Sequence, residues 1–479
     1  MIERLAADSR RCAPGVAFFA YQGDSSDGRR YIAQAIERGA AAVAWDTDGF
    51  AWRDEWRVPN TGVSGLKAQA GNLAHEFYGR PSESLWVCGV TGTNGKTSCS
   101  QWLAALLQES GAKAAVIGTL GSGFPGALTE ETNTTPDALE LHRRLGEFKR
   151  DGARCVAMEV SSHGLVQGRV NGVAFDCALF TNLSHDHLDY HGSLEAYAAA
   201  KSRLFDAPGL AAAVLNLDDP LGARLAQRLS GRGVRTIGYC LSEAVAAPGS
   251  VSEYIAAREI RIAGEASETL LVSSWGDAEA WINQPGRFNV ANALGVLGCL
   301  VAYGISFRDA AAQLANLPAV PGRMQRIGGG SRPLVVVDYA HTPDALEKVL
   351  QALRPVADAR GGRLAVVFGA GGDRDRAKRA PMGAAASRHA DRVVLTSDNP
   401  RSEKPLAIIE EIRAGVTAPC FTEPDRSAAI ERALREAQGT DVILIAGKGH
   451  ETVQEISGRR LPFSDAAVAA AQLERWRSG

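Results

Sequence analysis

Gly89-Val90-Thr91-Gly92-Thr93-Asn94-Gly95-Lys96-Thr97 lies between an apolar run, Leu85-Trp86-Val87-Cys88, and a segment in which Trp102, Leu103, Leu106 and Leu107 recur at helical spacing before Gly111. The order strand, glycine turn, helix is the setting in which a Gly-Lys-Thr sequence cradles phosphates. Backbone N–H groups and the helix N-terminus face the anion, Lys96 neutralises the outer phosphates, and the Thr97 hydroxyl reaches Mg²⁺. The general phosphate-loop pattern asks for glycine five residues before Gly95, where this chain has Val90. The Gly-Lys-Thr core and its flanks nevertheless agree, and a nucleoside triphosphate is the expected ligand.

With 479 residues the chain is too long for one core, and about three domains are expected. It is 45% hydrophobic and 22% charged with a net charge of -2, so no strong field draws it to nucleic acid or to an anionic membrane. It has no apolar run long enough to span a bilayer, and Met1-Ile2-Glu3-Arg4 carries charge where a signal peptide needs an apolar core. Eight cysteines are scattered singly, as free thiols are in a reducing compartment, and a cytoplasmic location is expected. Up to residue 84 the pattern is a small α/β unit: strand Val16 to Ala20, a polar loop from Gly23 to Gly28, helix Arg30 to Arg38 and strand Ala40 to Trp45. On its own Asp8-Ser9-Arg10 reads as a surface turn, and Pro81-Ser82-Glu83 as a junction.

The stretch 85–321 carries the chemistry. Strand Ala114 to Gly118 precedes Asn133-Thr134-Thr135-Pro136, a helix from Asp137 and strand Cys155 to Met158, which ends at Glu159. An acidic residue at that strand end, in a phosphate-loop protein, is an expected Mg²⁺ ligand. Ser161, Ser162, His163, Gln167 and Arg169 follow, and strand Cys177 to Phe180 runs into Thr181 to His191. Four of the nine histidines fall between 163 and 191, but none are at i, i+4 on a helix and no cysteine joins them, so a hard cation suits the set better than zinc. Lys201, on a helix from Ser193, reads by default as a solvated surface lysine. Farther on, Gly286-Arg287-Phe288-Asn289-Val290-Ala291-Asn292 opens an apolar helix; either asparagine can read an adenine edge, with an N-cap as the alternative for Asn289. At this level adenylation, phosphorylation and motor work all stay open.

From Pro321-Gly322-Arg323 onward, strands end in polar turns: Leu334 to Asp338, then Leu364 to Phe368 before Gly369-Ala370-Gly371-Gly372-Asp373-Arg374. Arg392 to Leu395 leads to Asp398-Asn399-Pro400-Arg401, and Asp441 to Ile445 leads to Gly447-Lys448-Gly449-His450-Glu451. Alternating strands and helices imply a parallel sheet with its site at the carboxyl edge. Arg374 stands where a dinucleotide fingerprint needs its third glycine, so a nicotinamide reading fails. Two arginines and a glutamate on one edge instead suit a zwitterion.

Thr91 to Thr97, Glu159-Val-Ser-Ser-His-Gly164, Asn182 to His191 with Lys201, and Gly447 to Glu451 together resemble the Mur ligase family, cytoplasmic enzymes that form the amide bonds of the peptidoglycan precursor. Asp398 to Arg401 resembles the motif of the branch that adds meso-diaminopimelate to UDP-N-acetylmuramoyl-L-alanyl-D-glutamate. The resemblance runs from about Asp8 to the end of the chain. It implies an α/β fold of three domains: a small N-terminal precursor-binding domain (1–84), a central P-loop ATPase-like domain with a mostly parallel sheet (85–321) and a C-terminal Rossmann-like, amino-acid-binding domain (322–479).

It also implies roles. Gly92, Thr93, Asn94, Gly95, Lys96 and Thr97 would hold ATP, with Asn292, Arg323 and Asp338. Thr97 and Glu159 would bind one Mg²⁺, and His187 with a carbamylated Lys201 a second. Lys96, Glu159, His187 and Lys201 would form the catalytic set. Ser9, Thr134, Thr135, Ser161, Gln167 and Arg169 would hold the UDP-precursor. Arg374, Asp398, Asn399, Pro400, Arg401, Gly447 and Glu451 would hold diaminopimelate. Its partners would be these small molecules alone, with no nucleic acid and no membrane insertion, and the chain a monomer. Departures from the family pattern fall in the 23–28 loop and at Ala377, where glycine is usual. The rival readings are the same ligase using L-lysine, a folylpolyglutamate-type ligase, and a P-loop ATPase coupled to motion.

Overall fold

The computed structural model describes residues 1–24, 26–241 and 250–477; Ser25, within the 23–28 loop noted above, lies outside them. The strand that precedes the phosphate loop, Trp86–Thr91, is near the middle of an eleven-stranded sheet, with Cys155–Glu159 on one side and Cys177–Phe180 on the other. Ala114–Gly118 lies beyond the first, and Ala212–Asn216, Arg235–Cys240 and Glu253–Ala263 beyond the second, all parallel. Of these, Ala114–Gly118, Cys155–Glu159, Trp86–Thr91, Cys177–Phe180 and Ala212–Asn216 are buried on both faces, which is why they are continuous apolar runs, whereas Glu253–Ala263 is half-exposed and carries charges. Chain order reverses across Trp86–Thr91, so the loop after it opens at a topological switch point. Register sets the rest: Val90 pairs with Glu159 and Thr91 with Phe180, placing the ends of three strands at one level.

Helices Lys96–Glu109 and Arg287–Tyr303 cover one face. The second is apolar nearly all round because it is enclosed by the sheet and the first helix. Two strands that the sequence reading missed, Ala266–Ser273 and Gly276–Ile282, extend the sheet antiparallel from Glu253–Ala263. Edge strands with one wet face carry a weaker apolar signal than central ones. Three of the eight cysteines, scattered in sequence, converge in this core: Cys88 and Cys177 Sγ lie 3.8 and 4.0 Å from Cys299 Sγ. Burial pushes the Cys88 and Cys299 thiols well above their ordinary range.

The N-terminal sheet is parallel, in the order Arg4–Ala6, Val16–Ala20, Ala42–Asp46, Asn60–Val63. Its helix Leu66–Phe77 packs on Ala138–Arg150 of the central unit and on the nearby loop at Asn171, where a Cβ on Gly71 would come 2.2 Å from Asn171 O. His142 is buried there, its Nε2 donating to Asn171 O at 2.9 Å, its ring 5.2 Å from that of His75. Burial depresses its pKa from 6.5 to about 4. The unfolded chain therefore takes up this proton first, so the stability contributed by the neutral ring is complete above pH 6.5 and is lost as pH falls toward 4. Wild-type protein is expected to lose about 2 kcal/mol between about pH 7.5 and about pH 5 through this group. The check is the urea midpoint at both pH values: His142→Gln, which keeps a donor for Asn171, should fall less, and an equal fall would assign the sensitivity elsewhere.

The C-terminal sheet runs Gln325–Gly328, Leu334–Asp338, Val442–Ala446, Leu364–Phe368, Arg392–Leu395, Cys420–Thr422, parallel except for the first strand. Asp338 and Phe368 both pair with Ala446, so the turns after these strands leave from one edge. Helix Pro343–Arg360 runs through Pro355, because Leu353, Val356 and Ala357 on either side of the proline form one buried face. A hairpin, Val453–Ile456 with Arg459–Pro462, follows the last turn. Among the described residues no helix is long and apolar enough to cross a membrane.

Candidate active site

The phosphate loop is shaped by two glycines that nothing larger replaces. Gly92 has φ +148° and a Cβ there would lie 1.9 Å from Thr181 Oγ1; Gly95 has φ +88° and its Cβ would lie 2.4 Å from Asn292 Oδ1. Loop 181–184 braces the turn from beside it. Thr181 Oγ1 donates to Asn94 O at 2.6 Å, Asn182 Oδ1 accepts the Asn94 amide at 3.0 Å, and the Ser184 amide donates to Thr93 Oγ1 at 3.0 Å. Gly95 caps helix Lys96–Glu109, whose first amides face the loop.

Glu159 is buried, and its carboxylate is fully engaged: Oε1 accepts the Thr119 amide at 2.8 Å, and Oε2 accepts both the Thr97 and Thr119 hydroxyls at 3.1 Å. A Cβ on Gly118 would come 2.3 Å from Oε1, so this glycine makes room for the carboxylate. Lys96 Nζ donates to Gly92 O and Thr93 O, both at 2.8 Å. Lys201 is not the surface lysine its helix suggested. It is 1% exposed, donates to Gly92 O at 2.7 Å and lies 4.3 Å from the Tyr197 ring centre. Burial, with the nearby Lys96 charge, holds its pKa well below the ordinary lysine range. Burial likewise lowers Lys96, against the carboxylates of Glu159 and Asp186.

His187 takes a left-handed backbone, φ +54°, before the short helix Leu188–His191. Its ring lies 4.9 Å from that of His163, which is 5.5 Å from that of His191. His185 stands apart, exposed. Burial alone would raise Asp186, but the charges of His187, His341, Lys96 and Lys378 hold it below the ordinary carboxylate range. Thr97, Glu159, His187 and Lys201 all line the cavity beside the loop. A hydroxyl, a buried carboxylate, an imidazole and an amine whose protonation is disfavoured are a donor set that fits Mg²⁺ once the lysine carries an oxygen-bearing group.

Residues from beyond Pro321 close the opposite wall. Arg323 Nη2 donates to Thr97 Oγ1 at 3.1 Å while its guanidinium stacks 4.4 Å from the Tyr339 ring. Asp338 accepts the Met324 and Ala340 amides, each at 2.8 Å, so it shapes the turn that carries Arg323; burial raises its pKa against these partners. Asn292 lines the cavity against Gly95. Asn289 is not an N-cap: Gly286 holds that position, and Asn289 Nδ2 donates to Pro285 O at 2.9 Å. The whole encloses a cavity of about 880 Å³.

The residues expected to hold the precursor divide. Thr134 Oγ1 is 3.1 Å from Thr119 Oγ1, Thr135 Oγ1 is 3.1 Å from Ser161 Oγ, and Arg169 Nη1 donates to Thr135 O at 2.7 Å, so these four form one rim. Gln167 accepts from Arg169 Nε at 2.7 Å and donates to Asp24 of the N-terminal unit at 2.6 Å. Ser9 does not join them. It is buried in a short 3₁₀ turn, donating to Gln34 Oε1 at 2.7 Å.

The C-terminal set gathers at its own sheet edge, outside that cavity. Asn399 Nδ2 donates to Glu451 Oε2 at 2.8 Å, and buried Lys448 donates to both Asn399 Oδ1 and Glu451 Oε2. Asp398 packs where a Cβ on Gly447 would stand, 2.6 Å from its Oδ2. Arg401, at φ +51°, donates from Nη1 to Gly372 O at 2.7 Å, and exposed Arg374 flanks the same glycines. Gly322 joins the two sites: its Cβ would lie 2.1 Å from His450 N, next to Glu451.

Three family models match in chain order: "Mur ligase family, catalytic domain" over residues 1–78, "Mur ligase middle domain" over 90–300 and "Mur ligase, glutamate ligase domain" over 322–449. The chain belongs to the Mur ligase family. Its relatives include a UDP-N-acetylmuramoyl-L-alanyl-D-glutamate–2,6-diaminopimelate ligase of Chromobacterium violaceum, 50% identical over 477 residues, covering 99% of this chain and 95% of that one. The ligase of the same name from Janthinobacterium is 50% identical over 479 residues, covering 98% and 94%. A solved diaminopimelate ligase of that name superposes with a TM-score of 0.70 at 35% identity, covering 99% and 95%.

In this Mur ligase several contributors to the site were not singled out by the sequence. Thr119 and Gly118 set the Glu159 carboxylate, Thr181 braces the loop, and Lys448 lies beneath Asn399 and Glu451. Only Lys448 and Thr181 stood inside quoted motifs. Thr119 follows a strand end at the level of Glu159, and parallel register is the one signal that could have found it.

Proposed function

We propose that this Mur ligase joins meso-diaminopimelate to UDP-N-acetylmuramoyl-L-alanyl-D-glutamate in the cytoplasm, with ATP as co-substrate and an acyl phosphate between two chemical steps. The observation that carries this reading is whole-length likeness, at 50% identity, to a ligase named for that reaction, in a chain whose Asp398–Arg401 turn sits against Glu451. The three units 1–84, 85–321 and 322–479 are assigned to the precursor, to ATP and to the amino acid. Ser9 is the weakest of the precursor assignments, since its hydroxyl is held by Gln34.

Gly92 to Thr97 receive the ATP phosphates, with Asn292 beside Gly95 and Arg323 and Asp338 across the junction. The side-chain carboxylate of the D-glutamyl residue attacks the γ-phosphorus, and ADP leaves with the electron pair of the broken P–O bond. Lys96 is the fixed cation facing the transferred group, and its present acceptors, Gly92 O and Thr93 O, keep it at the loop. Thr97 with Glu159, and His187 with Lys201, would hold two Mg²⁺; when bound, these ions neutralise charge on the phosphoryl oxygens. Lys201 is disposed to carry a carbamate because burial, with the nearby Lys96 charge, disfavours the protonated amine, and a neutral amine adds carbon dioxide where an ammonium does not. The amine of diaminopimelate then attacks the acyl carbonyl, and phosphate departs from the tetrahedral intermediate. Arg374 and Arg401 provide guanidinium groups for carboxylates of the amino acid, and Glu451 with Asn399 faces its ammonium.

The test is phosphate release by purified protein with ATP, Mg²⁺ and the UDP-muramoyl dipeptide, with meso-diaminopimelate, L-lysine or no amino acid. Release that requires diaminopimelate is the expected result. Release with lysine instead would keep the ligase and overturn its amino acid, and release without any amino acid would move the chain to the ATPase class.

A further inference from the structure

Arg379 is fully buried, and its guanidinium is held on two sides. Nη1 donates to Glu403 Oε2 at 2.9 Å and to Glu411 Oε2 at 2.8 Å; Nη2 donates to Glu403 Oε1 at 2.8 Å and to Gly371 O at 3.2 Å. The two carboxylates differ in what else they hold. Glu411 turns outward to Arg376, an exposed side chain. Glu403 turns toward the 371–374 loop, and its Oε1 also accepts the Asp373 amide at 2.7 Å.

One carboxylate thus grips a buried cation and the backbone of the 371–374 loop, while standing two residues past Arg401 in the adjoining turn. Other bonds join the same two segments. The Gly372 amide donates to Asn399 O at 2.9 Å, Arg401 Nη1 to Gly372 O at 2.7 Å, and the Ser402 hydroxyl to Asp373 Oδ1 at 2.6 Å. Their approach needs glycine at 372, where a Cβ would lie 2.0 Å from Pro400 O. A buried charge-assisted bidentate pair is the stiffest member of this set.

We propose that Glu403, held by Arg379, is a positioning residue for amino-acid selection: it locks the 371–374 loop to the 398–401 turn and so fixes the span between Arg374 and Arg401. The inference rests on the reading of those arginines as carboxylate ligands. A substrate with two carboxylates at a set separation gains from a fixed span, whereas one with a single carboxylate does not.

The experiment compares Glu403→Gln with Glu411→Gln in the full chain, since both weaken the bond to Arg379 but only the first acts on the loop. Wild type is assayed first. If its phosphate release does not depend on diaminopimelate, the substrate reading fails, and that failure is visible before any variant is made. Glu403→Gln is expected to raise the KM for diaminopimelate about tenfold, with the KM for ATP unchanged, and to narrow its preference over L-lysine. Glu411→Gln should leave both KM values as in wild type. Equal effects of the two variants, or no effect of Glu403→Gln, would overturn the proposal. Should Glu403→Gln not fold, Ser402→Ala breaks an exposed bond between the same segments: a rise in KM for diaminopimelate alone supports the coupling, and no change overturns it.

Discussion

Lys201→Met is expected to lower phosphate release by about a thousandfold while leaving the thermal midpoint unchanged or higher. The two halves of this expectation have separate causes. Methionine keeps most of the side-chain volume and removes an amine that is 1% exposed and whose charged form burial disfavours. The lost stabilisation is one hydrogen bond to Gly92 O, which amounts to about 1 kcal/mol. The lost chemistry is larger, because a thioether offers neither an oxygen ligand for a cation nor a site for carbon dioxide. Lys201→Arg should be equally inactive, since a guanidinium stays charged and adds no carbon dioxide. Removing dissolved carbon dioxide should slow the wild type reversibly and leave the residual rate of Lys201→Met untouched. Wild-type turnover in Lys201→Met would take the lysine out of the chemistry altogether.

Arg401→Ala is expected to raise the KM for diaminopimelate about a hundredfold, with little change in the KM for ATP. The separation follows from the placement of the residue. Arg401 lies at the edge of the C-terminal sheet, held by Gly372 O and by backbone bonds to Glu455 and Ser457, and it does not line the cavity around the phosphate loop. Alanine inherits the left-handed backbone at φ +51° without adding strain that arginine lacked. A lysine substitution should recover part of the loss, as a point charge replaces a fork. Titrating each substrate at saturation of the others gives both KM values; parallel losses for ATP and diaminopimelate would place Arg401 in general domain closure instead of amino-acid recognition.

The sequence alone was enough for the parts of this protein that depend on local order. A strand, a glycine turn and a helix with Lys96 and Thr97 at its start is a phosphate site wherever it folds, because the amides and the side chains are neighbours in the chain. The apolar runs at Cys88, Cys155 and Cys177, and those from Val335 to Leu444, marked strands for the same reason: burial on both faces leaves an uninterrupted signal, although Ala212–Asn216 and Arg235–Cys240, equally enclosed, were not read as strands. What escaped was set by register and enclosure. Thr119 and Gly118 reach Glu159 only because two parallel strands end at one level, and the edge strands after residue 263 have one wet face and no strong pattern.

Lys201 marks the boundary most sharply. On its helix it looks like any solvated lysine; Tyr197, four residues earlier, is its helical neighbour, but the sequence contains no sign that Lys96 and the Gly92 carbonyl will enclose it. Family likeness implied its role, and the tertiary structure places it as a buried amine whose charge is opposed by burial and by Lys96. The same division holds at Glu403 and Glu411, indistinguishable as surface carboxylates in the sequence. Both meet Arg379, but only packing decides that one of them also holds the Asp373 amide. Local chemistry was legible because covalent neighbours carry it; the electrostatics of the site were not, because they come from groups that folding alone brings into a low-dielectric interior.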